Sequence, residues 1–248
     1  MRRRGPLPSV KTMTNTKNAL ITGASRGLGL ALARGLAADG WSLVIDARDG
    51  DALRAAAATL PARAAVVALP GDITDPAHRE AVARAAAVLG GPDLLVNNAG
   101  TLGASPLPPV ADYPIGELRD AFEVNVLAPI ALTQLLLPAL RRRGGAVLSI
   151  TSDAAVEPYA GWGGYGAAKA ALEQASNVLA AEENLVRVWW VDPGDLRTQM
   201  HQQAYPGADI SDRQLPEAVV GAFIRLVGER LPSGRYRAAD LLPAAARS

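Results

Sequence analysis

The chain contains no cysteine, and that absence closes off disulfide scaffolds, thiol catalysis, iron–sulfur clusters and cysteine-based zinc sites. Histidine is nearly as scarce. His78 and His201 are the only two in 248 residues, too few for a histidine-based site, so no metal is expected. Long apolar runs are also missing. The best candidate, residues 126–140, holds two prolines, Thr133 and Gln134, and falls short of the ~18 uninterrupted apolar residues that mark a spanning helix. Lysine is the third scarcity: of 25 basic residues only Lys11, Lys17 and Lys169 are lysines. These absences predict a soluble globular protein with no membrane partner. A chain of this length buries roughly three quarters of its unfolded surface and needs no covalent staple.

Charge is unevenly spread. Arg2, Arg3, Arg4, Lys11 and Lys17 stand in a head without any acid, so the overall +1 leaves −4 on residues 18–248. A mildly acidic body argues against nucleic acid as a partner. Gly5, Pro6 and Pro8 interrupt the head, which lacks the apolar stretch of a secretory signal. Residues 1–17 are expected to be a disordered basic extension, with Met13 an alternative start, and the protein is expected to be cytoplasmic.

From residue 18 onward, short apolar runs alternate with helical patterns. Strands are expected at 18–22, 42–47, 65–69, 94–97, 146–151 and 186–191, with a last one near 235–237. Helices are expected at 27–40, 51–60, 75–89, about 116–142, 164–183 and near 216–228, with loops at 101–114 and 195–215. That alternation predicts one α/β domain over 18–248, a doubly wound Rossmann-type fold of about seven mainly parallel strands with helices on both faces. Ligands of such sheets sit off the carboxyl ends of the strands.

The run Thr22-Gly23-Ala24-Ser25-Arg26-Gly27-Leu28-Gly29 follows the first strand and opens a helix. Glycines there let backbone approach a pyrophosphate, and the helix start offers free N–H groups and partial positive charge. With this run, the chain resembles the short-chain dehydrogenase/reductase family, and further motifs follow in order: Asp72 after strand three, Asn97-Asn98-Ala99-Gly100 after strand four, Asn125 in the long helix, Ser152 ending strand five, Tyr165-x3-Lys169 opening the next helix, and Pro193-Gly194 with Thr198. The resemblance covers residues 18 to about 200. It implies a cofactor site built from Gly23, Ser25, Arg26, Gly27, Leu28, Gly29, Asp72, Ile73, Asn98, Ala99, Gly100, Pro193, Gly194 and Thr198, together with Tyr165 and Lys169. It also implies that Lys169 holds the ribose, that Asn125 positions a water, and that the protein is a homodimer or homotetramer.

The chemistry also follows from the residues. Tyr165 and Lys169 are i and i+4, neighbours on one helical face. A phenol of pKa ~10 is a poor base at neutral pH, and an ammonium beside it lowers that value. The Ser152 hydroxyl can bond a substrate oxygen as charge develops on it. Ser152, Tyr165 and Lys169 are therefore candidate catalytic residues for carbonyl/alcohol interconversion by hydride transfer, and the resemblance adds Asn125 to the set. Lys169 is the only lysine of the body, in a chain that otherwise uses arginine, which marks a place where a compact ammonium matters. The alternative is a non-catalytic NAD(P)-binding sensor of the same fold.

Cofactor choice turns on the end of strand two. An acid there bonds the ribose 2′-OH of NAD, whereas a nearby Arg accommodates a 2′-phosphate. On the family pattern the acid position falls on Ala47, followed by Arg48, with Arg26 a second guanidinium. Asp46, one residue early, should point to the other sheet face. NADP(H) is favoured and NAD(H) stays open. Leu102, Tyr159, Trp162, Met200 and His201 are candidate lining for a small-molecule carbonyl or alcohol substrate. Residues 195–215 could serve as a lid. Arg141, Arg142 and Arg143 are read as complementing a helix C-terminus.

Overall fold

A computed structural model describes residues 16–243, so most of the expected basic extension lies outside the described residues. Lys17, counted with that extension, is engaged with the fold. Its carbonyl accepts from Ser42 N at 2.9 Å and its ammonium lies 5.2 Å from the Trp41 ring centre.

Seven strands, β1 (Asn18–Ile21), β2 (Ser42–Ala47), β3 (Val66–Pro70), β4 (Leu94–Asn97), β5 (Ala146–Ile150), β6 (Arg187–Asp192) and β7 (Gly234–Arg237), form one sheet in the order β3-β2-β1-β4-β5-β6-β7. Every pairing is parallel. β1, β2, β4 and β5 are buried along their whole length, because helices cover both faces and each strand can be apolar on both sides. β3 ends on Pro70, which an edge strand tolerates because the missing N–H can face away from the ladder.

Helices α1 (Gly27–Ala38), α2 (Gly50–Ala58) and α3 (Pro76–Val88) connect the first four strands. The expected single helix near 116–142 is α4 (Ile115–Phe122), a π-helical turn (Glu123–Leu127) and α5 (Ala128–Arg143). Pro129 has no N–H to give the Asn125 carbonyl four residues earlier, which explains why α-helical bonding gives way at this turn. The whole segment is long and apolar enough to cross a membrane by length and composition. It nevertheless sets Ala128, Leu132, Leu136 and Leu140 into the core between sheet and helices.

α6 (Gly163–Glu182) precedes β6; α7 (Gln199–Ala204), α8 (Val220–Gly228) and α9 (Ala238–Leu241) complete the fold. One core lies between the sheet and α1, α2 and α8, the other between the sheet and α3 and α5. The arginines closing α5 find specific partners: Arg141 pairs with Glu183, and Arg143 bonds both Asp93 carboxylate oxygens at 2.8 Å.

The sheet reverses its winding between β1 and β4, and both turns there are locked together. Thr22 Oγ1 accepts from the amides of Asn98 and Ala99, each at 3.0 Å, and donates to Val96 O at 3.3 Å. Asn98 Nδ2 returns two bonds, to Thr22 O and Gly23 O. A side chain at Gly23 (φ +67°) would bring its Cβ within 2.8 Å of Ala99 Cα, so this contact requires glycine. Thr22→Val keeps the shape but leaves two amides without their acceptor. It should lose about 1–3 kcal/mol of unfolding free energy, read from urea denaturation.

Candidate active site

A cleft of about 1500 Å³ runs along the carboxyl ends of the strands, from Arg48 and Asp72 at one end to Trp162 and Met200 at the other. The glycine run lies along it. α1 begins there with no side-chain cap and no acid in its first turn, so its leading amides remain available to an anion. Arg26 is exposed but bonds Gln199 Oε1 from α7, tying the glycine loop to the segment after Pro193-Gly194.

At the end of β2, Ile45 and Ala47 belong to one core and Val44 to the other, so Asp46 lies on the face opposite Ala47. Its Oδ1 accepts from Gly23 N at 2.8 Å. Arg48 beyond it is exposed at the cleft edge. Asp72 Oδ1 accepts from both Thr74 N and Thr74 Oγ1 at 2.8 Å. Burial pushes its carboxyl up, but those bonds, helped by Arg48 and His78, hold it below its ordinary range. Arg79 fixes the same loop through the carbonyls of Ile73 and Thr74. Ile73, Ala99 and Gly100 line the cleft.

The candidate catalytic residues converge at the centre. Lys169 is 3% exposed, and its only hydrogen bond to the described residues runs to Ile150 O at 2.9 Å. Burial brings its pKa down to about 8. Tyr165 lies one turn earlier, its ring 5.5 Å from the Lys169 ammonium. Burial, then the charge of Asp192, holds the phenol above its ordinary value, and a hydrogen bond with Ser152 pulls the other way. The Ser152 hydroxyl accepts from Ala154 N at 3.1 Å and bonds Asp153 Oδ1 at 3.0 Å.

Asn125 is fully buried in the π turn. Its Oδ1 accepts from Thr101 N and its Nδ2 donates to Thr101 O, so the side chain is committed to fixing the loop after Gly100. Thr198 caps α7 by accepting from His201 N, and Gly194 N bonds Asp192 Oδ1.

Leu102, Trp162 and Met200 pack in one apolar cluster with Tyr165, and Trp162 meets Tyr165 edge-on at 5.6 Å between ring centres. Tyr159 is half-exposed and donates to Asp153 Oδ2. His201 stacks obliquely on Tyr205 and faces Asp195 at 3.9 Å, and its Nε2 is buried with no hydrogen-bond partner among the described residues.

Several contributors were not visible in the sequence. Thr22 locks the two turns, Asp192 sits buried beside Tyr165, and Arg235 of β7 bonds both Glu173 and the Ser152 carbonyl. α7 falls inside the loop expected at 195–215, because six residues carry too little periodicity to show a helix, although Thr198 is a favourable N-cap residue.

Fold and cleft together define a Rossmann-type α/β protein with its site at the switch point of a parallel sheet. The chain belongs to the short chain dehydrogenase family, whose profile matches residues 17–209. It is 37% identical over 229 residues to 1-deoxy-11-beta-hydroxypentalenate dehydrogenase of Streptomyces exfoliatus, covering 89% of this chain and 82% of that one. It is 33% identical to the rhamnolipids biosynthesis 3-oxoacyl-[acyl-carrier-protein] reductase of Pseudomonas aeruginosa, covering 91% and 93%. Among solved structures, the alcohol dehydrogenase of Thermococcus sibiricus, complexed with 5-hydroxy-NADP, superposes with a TM-score of 0.81 at 28% identity, covering 90% and 96%.

Proposed function

We propose that the protein is an NADP(H)-preferring oxidoreductase that interconverts an uncharged ketone and a secondary alcohol. The observation that carries this reading is the meeting of Ser152, Tyr165 and a buried Lys169 beside an uncapped helix start in one cleft. The donor set fits a nicotinamide dinucleotide. The amides opening α1 suit the pyrophosphate, Asp72 and Ile73 the adenine, Lys169 the ribose, and Pro193, Gly194 and Thr198 the nicotinamide end. A bound nicotinamide supplies or accepts the hydride.

The rest is the work of the chain's own groups. Ser152 orients the substrate oxygen. Tyr165, which burial keeps protonated in the free site, donates its proton to that oxygen in reduction and recovers it in oxidation. Lys169 stabilises the phenolate so formed, and Asn125 holds the loop after Gly100 against the ammonium. The pocket wall of Leu102, Trp162 and Met200 suits an apolar substrate flank. Exposed Leu127, Leu135 and Val178 on the helices after β4 and β5 support assembly as a homodimer or homotetramer, which light scattering tests. The same reading keeps the enzyme in the cytoplasm, acting on free small molecules.

A panel of ketones and secondary alcohols, assayed with both cofactors in both redox states, should reveal NADPH-dependent reduction that Tyr165→Phe abolishes. Binding of NADP(H) without turnover on any member would favour the sensor reading instead.

Arg48 decides the cofactor within this scheme. No acid stands at Ala47 to meet a ribose 2′-OH, and the exposed guanidinium is free to take a 2′-phosphate. Arg48→Ala should weaken NADP(H) by about 10- to 100-fold, the range of a lost charge-assisted contact, and leave NAD(H) nearly unchanged. Isothermal titration with each cofactor checks it. Equal losses for both would remove Arg48 from the 2′-phosphate.

A further inference from the structure

Beneath the glycine loop lies a pair of buried titratable side chains that the chemistry above does not use. Asp46 is 2% exposed and His78 8%. His78 Nε2 lies 3.2 Å from Asp46 Oδ2, while the other oxygen, Oδ1, accepts from Gly23 N at 2.8 Å. The Asp46 main chain adds a second tie, its carbonyl accepting from Ala24 N at 2.9 Å. One residue therefore grips two successive amides at the start of the loop. His78 comes from the first turn of α3, which Asp75 caps. Its ring fills the space over Gly71, where an added Cβ would come within 2.2 Å of Nδ1, and Gly71 leads directly into Asp72.

We propose that the Asp46–His78 pair is a positioning device for the adenosine half of the cofactor site, setting the glycine loop and the Gly71–Asp72 turn relative to each other. The inference rests on the nicotinamide-dinucleotide reading above. The pair joins the ends of β1, β2 and β3, the three segments among which adenosine and its 2′-phosphate would lie. Geometry gives His78 a definite task. A carboxylate buried with a single backbone donor must turn toward water or bind a stray proton unless its second oxygen has a partner. Either response loosens the bond to Gly23 N, and Gly23 is the residue whose close approach to Ala99 leaves the loop no other path.

The test is a double-mutant cycle read as dissociation constants of NADP+ and of its fragment 2′,5′-ADP by isothermal titration, with Tm recorded for each protein. His78→Leu should weaken both ligands at least 10-fold. His78→Gln, which retains an N–H donor, should stay within about threefold of the wild type. In the Asp46→Asn background, where the uncharged amide still accepts from Gly23 N, His78→Leu should cost less than threefold. If His78→Leu is too unstable to titrate, the comparison of His78→Gln with His78→Met on 2′,5′-ADP serves in its place, with the same expected ordering. Folded variants that all bind like the wild type, with only Tm changed, would make the pair an ordinary core contact and overturn the proposal. A wild-type protein that binds neither ligand would instead refute the cofactor reading itself.

Discussion

Lys169→Arg should fold normally and lose at least ~10²-fold in kcat/KM, about 2.7 kcal/mol of transition-state stabilisation. The substitution is mild by the ordinary rules of this chain, which uses arginine for 22 of its 25 basic residues. It keeps the charge and most of the apolar stem. The surroundings of Lys169 make it severe. The ammonium is enclosed, donating to Ile150 O, with Tyr165 on one side and Gly100 on the other, where a Cβ would lie 3.7 Å from Nζ. A planar guanidinium is larger and spreads its charge over three nitrogens with donors in a fixed fork. It cannot keep the Ile150 bond and also face both the phenol and a ribose. The Tyr165 ionisation in the pH–rate profile should move upward, because a diffuse charge held farther off offsets less of the burial and of the Asp192 charge that already raise it. The measurement is kcat/KM against pH for both proteins on any ketone found active. Retained activity with an unshifted profile would make Lys169 a bystander.

Much of this architecture was legible because buried parallel strands read as plain apolar runs ended by glycine or a polar residue. β2 and β4 fall on the expected residues, 42–47 and 94–97. Period-two alternation also sufficed to turn Asp46 away from Ala47. What stayed hidden depends on contacts between residues far apart in the chain. Nothing local to Asp46 announces His78, 32 positions on, or the Gly23 amide, 23 positions back. Thr22 reads as the last residue of a strand, and only the neighbouring β4 turn reveals its hydroxyl as a double acceptor. The π turn is a middle case. Pro129, four residues after Asn125, was a signal in plain view, yet a proline near a helical pattern more often marks an end than a change of pitch. Asn125 at this turn is held by two bonds to the Thr101 backbone, so a polar residue in a helix serves the site through its side chain's grip on a loop.

The energy stored at Lys169 should appear as stability when the charge is removed. Burial lowers its pKa from an ordinary 10.5 to about 8, so the folded free protein holds the ammonium less willingly than the unfolded chain does. Below pH ~8 both states are protonated and the whole cost of burying the charge, about 3 kcal/mol from the shift, weighs on the fold. As pH rises from 8 to 10.5 the folded state gives up its proton while the unfolded state keeps it. The unfolded state then binds more protons, and stability from this group rises with pH. Lys169→Met removes the cost and forfeits one hydrogen bond to Ile150 O, worth about 1 kcal/mol. The variant should therefore be more stable than the wild type by about 2 kcal/mol at pH 7. That advantage should shrink steadily between pH 8 and 10.5 and vanish or reverse above it, as other titrating groups cancel in the difference. Urea unfolding of both cofactor-free proteins from pH 6 to 10.5 measures it. A destabilised variant at pH 7, or a difference independent of pH, would mean that Lys169 is not held at a cost. The expected pattern is that of a residue kept for its chemistry against the stability of the fold.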